Sequence, residues 1–167
     1  MFDLSRLALR LHLLQTHPMS GKTFRYEHRV IYAECTLGNH IYYARYLDIL
    51  EAARGEFFRA LGLPLADLQE QDTAFPVIEC QLKYRFPARY DDVLDVELWL
   101  DELDRIRLRF GYRIINQSDE LILEGTTSHV CTSIAEKPKR LPLELAALMQ
   151  PYLRPKGASA EIRSGRE

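Results

Sequence analysis

From residue 74 to residue 134 apolar and polar side chains alternate, which is the repeat of a strand with one face buried. In 93–101, Leu94, Val96, Leu98 and Leu100 share one face, and Asp95, Glu97, Trp99 and Asp101 the other. In 105–115, Ile106, Leu108, Phe110, Tyr112 and Ile114 share one face, and Arg105, Arg107, Arg109 and Arg113 the other. Turns at 87–92 and 117–119 and a tight loop at 102–104 divide the run into strands over 75–86, 93–101, 105–115 and 120–134, which read as a meander. The Arg stripe faces the acidic stripe, so cross-strand ion pairs and an Arg–Trp99 contact are expected there. An anion-binding surface or a subunit contact is the other reading of those arginines.

One strong internal helix precedes this run. Over 41–61, Leu47, Leu50, Ala53, Phe57 and Leu61 recur at spacings of three and four and form an apolar stripe. Gly62 ends the helix and Pro64 prevents its return. A first strand is expected over 24–33, a polar connection over 67–73, and a short closing helix over 143–152. One helix packed on one antiparallel sheet is an α+β layer. The sheet is larger than a single helix can cover, and the surplus apolar surface predicts a homo-oligomer.

The folded domain is placed at 23–154. Residues 1–22 read as an N-terminal appendage, Leu-rich but broken by Asp3, Arg6, Arg10 and His12, a poor signal-peptide core. A docking arm, a membrane-surface helix and a start at Met19 are its other readings. Residues 155–167, rich in Gly, Ser and charge, are expected to be a disordered tail.

The chain's 167 residues suit one domain, and 47% hydrophobic residues exclude a disordered or collagen-like chain. A net charge of −2 without a long block of one sign argues against a nucleic-acid binder. No stretch approaches the length of apolar sequence that spans a membrane. Cys35, Cys80 and Cys131 are far apart and lack any zinc-type spacing, so free thiols in a reducing cytoplasm are expected, with no metal.

No GxSxG, P-loop, GxGxxG or HExxH motif is present. The dense polar cluster is Glu34-Cys35-Thr36-Leu37-Gly38-Asn39-His40, running into Ile41-Tyr42-Tyr43-Ala44-Arg45-Tyr46. A loop feeding a helix N-terminus presents free N–H groups and the positive end of the helix dipole, which suit an anion or a developing oxyanion. The same composition also serves as a plain helix cap.

Three blocks carry a resemblance. The first is Gly38-Asn39-His40-Ile41-Tyr42-Tyr43, Tyr46-Leu47 and Glu51-Ala52-Ala53-Arg54. The second is Phe75-Pro76-Val77-Ile78 with Tyr84-Arg85-Phe86-Pro87-Ala88-Arg89-Tyr90-Asp91-Asp92. The third is Gly125-Thr126-Thr127-Ser128-His129-Val130-Cys131 with Lys137-Pro138-Lys139-Arg140-Leu141-Pro142. Together they resemble hotdog-fold acyl-CoA thioesterases of the 4-hydroxybenzoyl-CoA thioesterase type. The resemblance implies a five-stranded antiparallel sheet wrapped around one long helix. It also implies homodimers with sites at their interface, often paired again into tetramers. The implied activity is hydrolysis of an acyl or aroyl thioester of coenzyme A or of an acyl-carrier protein, with no metal or redox cofactor.

The departure from that family lies at its chemical centre. Thr36 occupies the position of the family's catalytic aspartate, and Tyr43 that of its common histidine. A threonine hydroxyl is neutral at pH 7 and a poor base. Glu34, Asp48 or Glu51 could supply a carboxylate instead, and His40 could serve as a base near neutral pH. The site pattern is also similar to the enediyne polyketide thioesterases, which lack the aspartate and rely on a helix arginine. That likeness implies that Arg54, with N–H groups from Asn39 to Ile41, holds the thioester carbonyl while Thr36 and Tyr43 orient water. Arg54 has a structural reading too, an ion pair with Glu51. The alternative function is a non-catalytic acyl-thioester binding protein that keeps the pocket without turnover. A dehydratase or isomerase would rest on His40 and Glu34 alone.

Overall fold

The computed structural model describes residues 21–155. The expected appendage lies outside these apart from Gly21 and Lys22, and the expected tail apart from Pro155.

Five strands form one antiparallel sheet: β1 (Phe24–Arg29), β2 (Val77–Tyr84), β3 (Val93–Leu103), β4 (Arg107–Asn116) and β5 (Leu121–Val130), in the order β1-β3-β4-β5-β2. The long helix α1 (Arg45–Ala60) packs on one face, flanked by the short helices α2 (Leu65–Glu70) and α3 (Leu143–Met149). The expected five-stranded sheet around a long helix is what the chain forms.

The alternation read from β3 and β4 sorts the two faces. Leu94, Val96, Leu98 and Leu100 are fully buried, as are Phe110 and Ile114 opposite them. From α1 they meet Leu50, Ala53 and Phe57, also fully buried. Phe57 sits edge-on to Phe110, with ring centroids 6.0 Å apart. Burying a side chain of that size contributes about 2–3 kcal/mol.

Three expectations change. The meander is β3-β4-β5 only; β2 lies beyond β5, not beside β3. The 85–92 connection docks on the start of α1 instead of folding as a tight hairpin. Its Ala88 is fully buried, its N–H donates to the Tyr46 hydroxyl at 3.3 Å, and its carbonyl accepts from Ile41 N–H at 2.9 Å. The helix starts later than expected: Ile41 N–H bonds Ala88, Tyr42 N–H bonds the Glu34 carbonyl, and α1 begins at Arg45. The first strand ends at Arg29, because 32–34 form a single tight turn.

The outer sheet face is charged and paired as expected. Glu97, only 3% exposed, accepts from Arg113 at 2.7 Å and from Arg25 at 2.6 Å. The arginine over Trp99 is Arg154, 3.3 Å from the ring centre, and not one of the β4 arginines. At the free edge, every residue of β2 except Leu82 is exposed.

Candidate active site

Two cavities flank the helix side of the sheet, one lined by Val77 at the start of β2 and one by Tyr84 at its end. The second is an open cleft of about 520 Å³ whose walls include His40, Tyr42, Tyr43, Tyr46, Tyr84 and Phe86. Its loop is closed by a bridge between Cys35 and Ile41. Inside the loop Asn39 takes a left-handed φ of 52° and its N–H donates to the Thr36 carbonyl at 3.0 Å. Asparagine tolerates that region better than most residues. A Cβ on Gly38 would stand 3.1 Å from the His40 ring, so glycine lets the imidazole lie back against the loop. Thr36 Oγ1 lies 3.4 Å from His40 Nε2 and donates to the His40 carbonyl at 3.3 Å. His40 Nδ1 lies 3.3 Å from the Ile41 carbonyl. A carbonyl only accepts, so Nδ1 is the donor in that contact. The Tyr43 ring lies against Tyr42, centroids 4.7 Å apart, and its carbonyl accepts from the Tyr84 hydroxyl at 3.1 Å.

The loop therefore brings Thr36, Asn39, His40 and Tyr43 together, with corrections to their expected roles. Of the N–H groups expected to meet an oxyanion, Asn39 N–H is taken by Thr36 and Ile41 N–H by Ala88. Among the described residues only His40 N–H, of those three, has no acceptor. Glu34 is not a free carboxylate. It caps the turn before the loop by accepting from Ile31 N–H at 2.9 Å, and it faces His28 Nε2 at 2.9 Å. Asp48 pairs with Arg45 at 3.1 Å on the exposed helix surface.

Arg54 lines the other cavity, of about 460 Å³, together with Glu51, Phe58, Phe75, Phe110 and His129. It is half-buried, and its Nη1 donates to the Tyr112 hydroxyl at 3.2 Å. The ion pair with Glu51 is not formed; among the described residues Arg54 meets no carboxylate at all. Behind Tyr112 lies a set of polar groups in the core. Tyr112 oxygen is 3.0 Å from Thr127 Oγ1, Thr127 Oγ1 is 2.8 Å from His129 Nε2, and His129 Nδ1 is 3.0 Å from the Phe75 carbonyl. Burial, with the Arg54 charge adding to it, lowers the His129 pKa to about 4. Burial also raises the Tyr112 phenol, so both groups are neutral at pH 7. Sequence reasoning passed over Thr127 and His129 as strand residues. The available signal was two polar side chains at alternate positions on the face where β5 should have been apolar.

Residues 30–149, from the end of β1 through α3, match the model of the thioesterase-like superfamily. The chain belongs to that superfamily. Acyl-CoA thioester hydrolase YbgC of Escherichia coli O157:H7 is 31% identical to it over 130 residues, 77% of this chain and 97% of that protein. Among solved structures, the hypothetical protein TT1821 from Thermus thermophilus is 32% identical, with a TM-score of 0.72 over 77% of this chain and 98% of that one. The dynemicin thioesterase, in structures describing polyene binding, matches with a TM-score of 0.74 over 79% of this chain and 98% of that one. Its identity is 20%, so that likeness is one of fold. This thioesterase-like chain thus has the hotdog fold. Among its described residues no three His, Cys, Asp or Glu side chains are grouped to hold a metal ion, and no helix is long and apolar enough to cross a membrane.

Proposed function

We propose that this protein hydrolyses an acyl or aroyl thioester of coenzyme A or of an acyl-carrier protein, and that Arg54 takes the place of the aspartate missing at position 36 as the principal catalytic group. One observation carries this reading. Arg54 is a half-buried guanidinium in a cavity wall, bonded to a neutral hydroxyl and, among the described residues, to no carboxylate. A partly buried cation whose bonded partner is a neutral hydroxyl favours any negative charge that forms beside it.

Thioester hydrolysis forms such a charge. Water adds to the carbonyl carbon, and the carbonyl oxygen becomes the oxyanion that Arg54 stabilises. The C–S bond then breaks and the electron pair leaves with sulfur. A thiol has a pKa of about 8.5, so the thiolate departs with little acid assistance. The proton shed by the attacking water goes to His40 Nε2 or to solvent and returns to the thiolate. This chemistry needs charge stabilisation more than a strong base.

In a single chain Arg54 and the Thr36–His40 loop line different cavities. An antiparallel pairing of two copies along the free edge of β2 would set the Val77 end of one strand beside the Tyr84 end of the other. The Arg54 cavity of one copy would then adjoin the aromatic cleft of its partner. We therefore include a homodimer with shared sites in the proposal, paired again into a dimer of dimers. The exposed apolar residues Ile78 and Tyr84 on this edge support it.

Thr36 favours a second reading, an acyl-thioester binding protein without turnover. Thiol release separates the two, using short, long and aromatic acyl-CoA thioesters and an acyl-carrier thioester. Wild type should turn over at least one, and Arg54→Ala should lower kcat by about 10²–10³, as removal of an oxyanion donor does. Tight binding without release across the whole panel would establish the binding protein.

A further inference from the structure

We infer that Tyr112, Thr127 and His129 are positioning residues for Arg54, joined in a hydrogen-bond chain that runs in one direction and leaves the rest of the guanidinium to the cavity. The inference rests on the reading of Arg54 as the group that meets the oxyanion.

The direction follows from the far end. The Phe75 carbonyl, 3.0 Å from His129 Nδ1, can only accept, so Nδ1 carries the proton. A neutral imidazole then offers a lone pair at Nε2, and Thr127 O–H must donate to it across 2.8 Å. Thr127 has no second proton, so at 3.0 Å it accepts from Tyr112 O–H. Tyr112 in turn shows Arg54 only lone pairs, and Nη1 donates to it at 3.2 Å. Each bond fixes the next, from four chain segments: the 75–76 connection, β5, β4 and α1.

The chain also closes on itself. Phe75 stacks on Phe58 with centroids 5.5 Å apart and planes 14° from parallel. Phe58 lies on α1 one turn beyond Arg54. The carbonyl that sets the histidine tautomer is thus held by the helix that carries the arginine. Guanidinium and aromatic positions are tied together around one ring of contacts. One N–H of Arg54 is spent on Tyr112; the remaining donors have no partner among the described residues.

A proton relay is the competing use of such a chain, with His129 as the final base. The environment of His129 decides against it. Its pKa of about 4 lies well below the operating pH, so it is a weak acceptor for a proton taken from water. His129 is therefore a hydrogen-bond acceptor with a fixed tautomer. Thr127 tells the same story from its packing. It stands on the core face between Phe110 of β4 and Cys80 of β2, where valine would fill the same space. What threonine adds there is the one hydroxyl that links phenol to imidazole.

The test uses Thr127→Val, which keeps shape and removes the link. Expected is a fall in kcat of about tenfold or more with KM within about twofold, and recovery to within about threefold in Thr127→Ser. In an Arg54→Ala background Thr127→Val should cost nothing further, because both changes act through one guanidinium. An equal loss in that background, an unchanged kcat in the single variant, or no recovery with serine overturns the inference. A readout independent of turnover is ¹⁵N NMR of the histidine ring at pH 7. A neutral His129 with its proton on Nδ1 supports the chain; a proton on Nε2, or an imidazolium, overturns it. If wild type releases no thiol from any thioester, the hydrolase reading falls, and the NMR result decides the chain by itself.

Discussion

Thr36 and His40 meet across a tight turn, with Oγ1 3.4 Å from Nε2. That is too long for efficient proton transfer, which needs about 2.6–3.2 Å. The pair orients the loop, and the loop holds no free carboxylate. A carboxylate at 36 would stand next to an imidazole nitrogen and could accept a proton from attacking water.

Thr36→Asp should therefore raise thioester hydrolysis. General-base catalysis contributes about 10²–10⁴-fold when well placed, and a newly introduced group should give at least about tenfold in kcat/KM. Thiol release by wild type and variant on one substrate measures it. If the variant binds a non-hydrolysable thioether analogue but gains nothing over wild type, position 36 does not face the attacking water in this pocket.

His129 makes stability depend on acid. Its imidazole is 2% exposed and takes a proton only near pH 4 when folded, against about 6.5 when unfolded. Above pH 6.5 both states are neutral and the contribution is constant. As the pH falls from 6.5 to 4 the unfolded chain binds the proton first, and stability is lost by up to about 3 kcal/mol. His129→Gln keeps a donor and an acceptor but does not titrate. Urea unfolding at pH 7.5 and pH 4.5 should show a smaller acid loss in the variant than in wild type. Equal losses would mean that His129 is already charged, or already solvated, in the folded state.

What the sequence disclosed depended on how local each feature is. The alternation over Leu94, Val96, Leu98 and Leu100 is a local pattern, and all four residues are fully buried. The Glu97–Arg113 pair follows from two neighbouring strands joined by a short turn, and it forms. Partners at long range were hidden. Nothing in 75–86 says that β2 pairs with β5, because that register joins Val77 to His129 and Tyr84 to Leu123, far along the chain. The site divides in the same way. The loop with Thr36, Asn39, His40 and Tyr43 is contiguous and was legible. The partners of Arg54 were not, since Tyr112 and Thr127 lie 58 and 73 positions further along the chain. Their meeting is a product of strand register.

Gly111 is required by the indole of Trp99. A Cβ at 111 would stand 2.3 Å from Nε1 and 2.4 Å from Cε2, a distance no side chain tolerates. The ring cannot simply swing away. Its N–H donates to Asp101 at 2.8 Å, and Arg154 covers its face at 3.3 Å. Gly111→Ala should thus cost about 1–3 kcal/mol, the range for overpacking. That lowers Tm by several degrees in a chain of this size. The chain has one tryptophan, so fluorescence reports the ring directly. A red-shifted emission should accompany the loss, and an unchanged spectrum with unchanged Tm would show that the sheet gives way locally.

The proposed assembly is tested at Ile78. It lies on the free edge strand and is 54% exposed in the single chain, so Ile78→Glu should cost the monomer little. In an antiparallel pairing along β2 the same change places two uncompensated charges in a closed seam. Each buried unpaired charge costs about 3–5 kcal/mol, so the two together raise a dimer dissociation constant by about four powers of ten or more. Sedimentation should show wild type at two or four chain masses and the variant at one, with unchanged circular dichroism. Turnover should fall with the assembly, because the Arg54 cavity of one copy would no longer meet the aromatic cleft of another. A variant that sediments like wild type places the interface elsewhere. One that dissociates and keeps full turnover shows that a single chain holds a complete site.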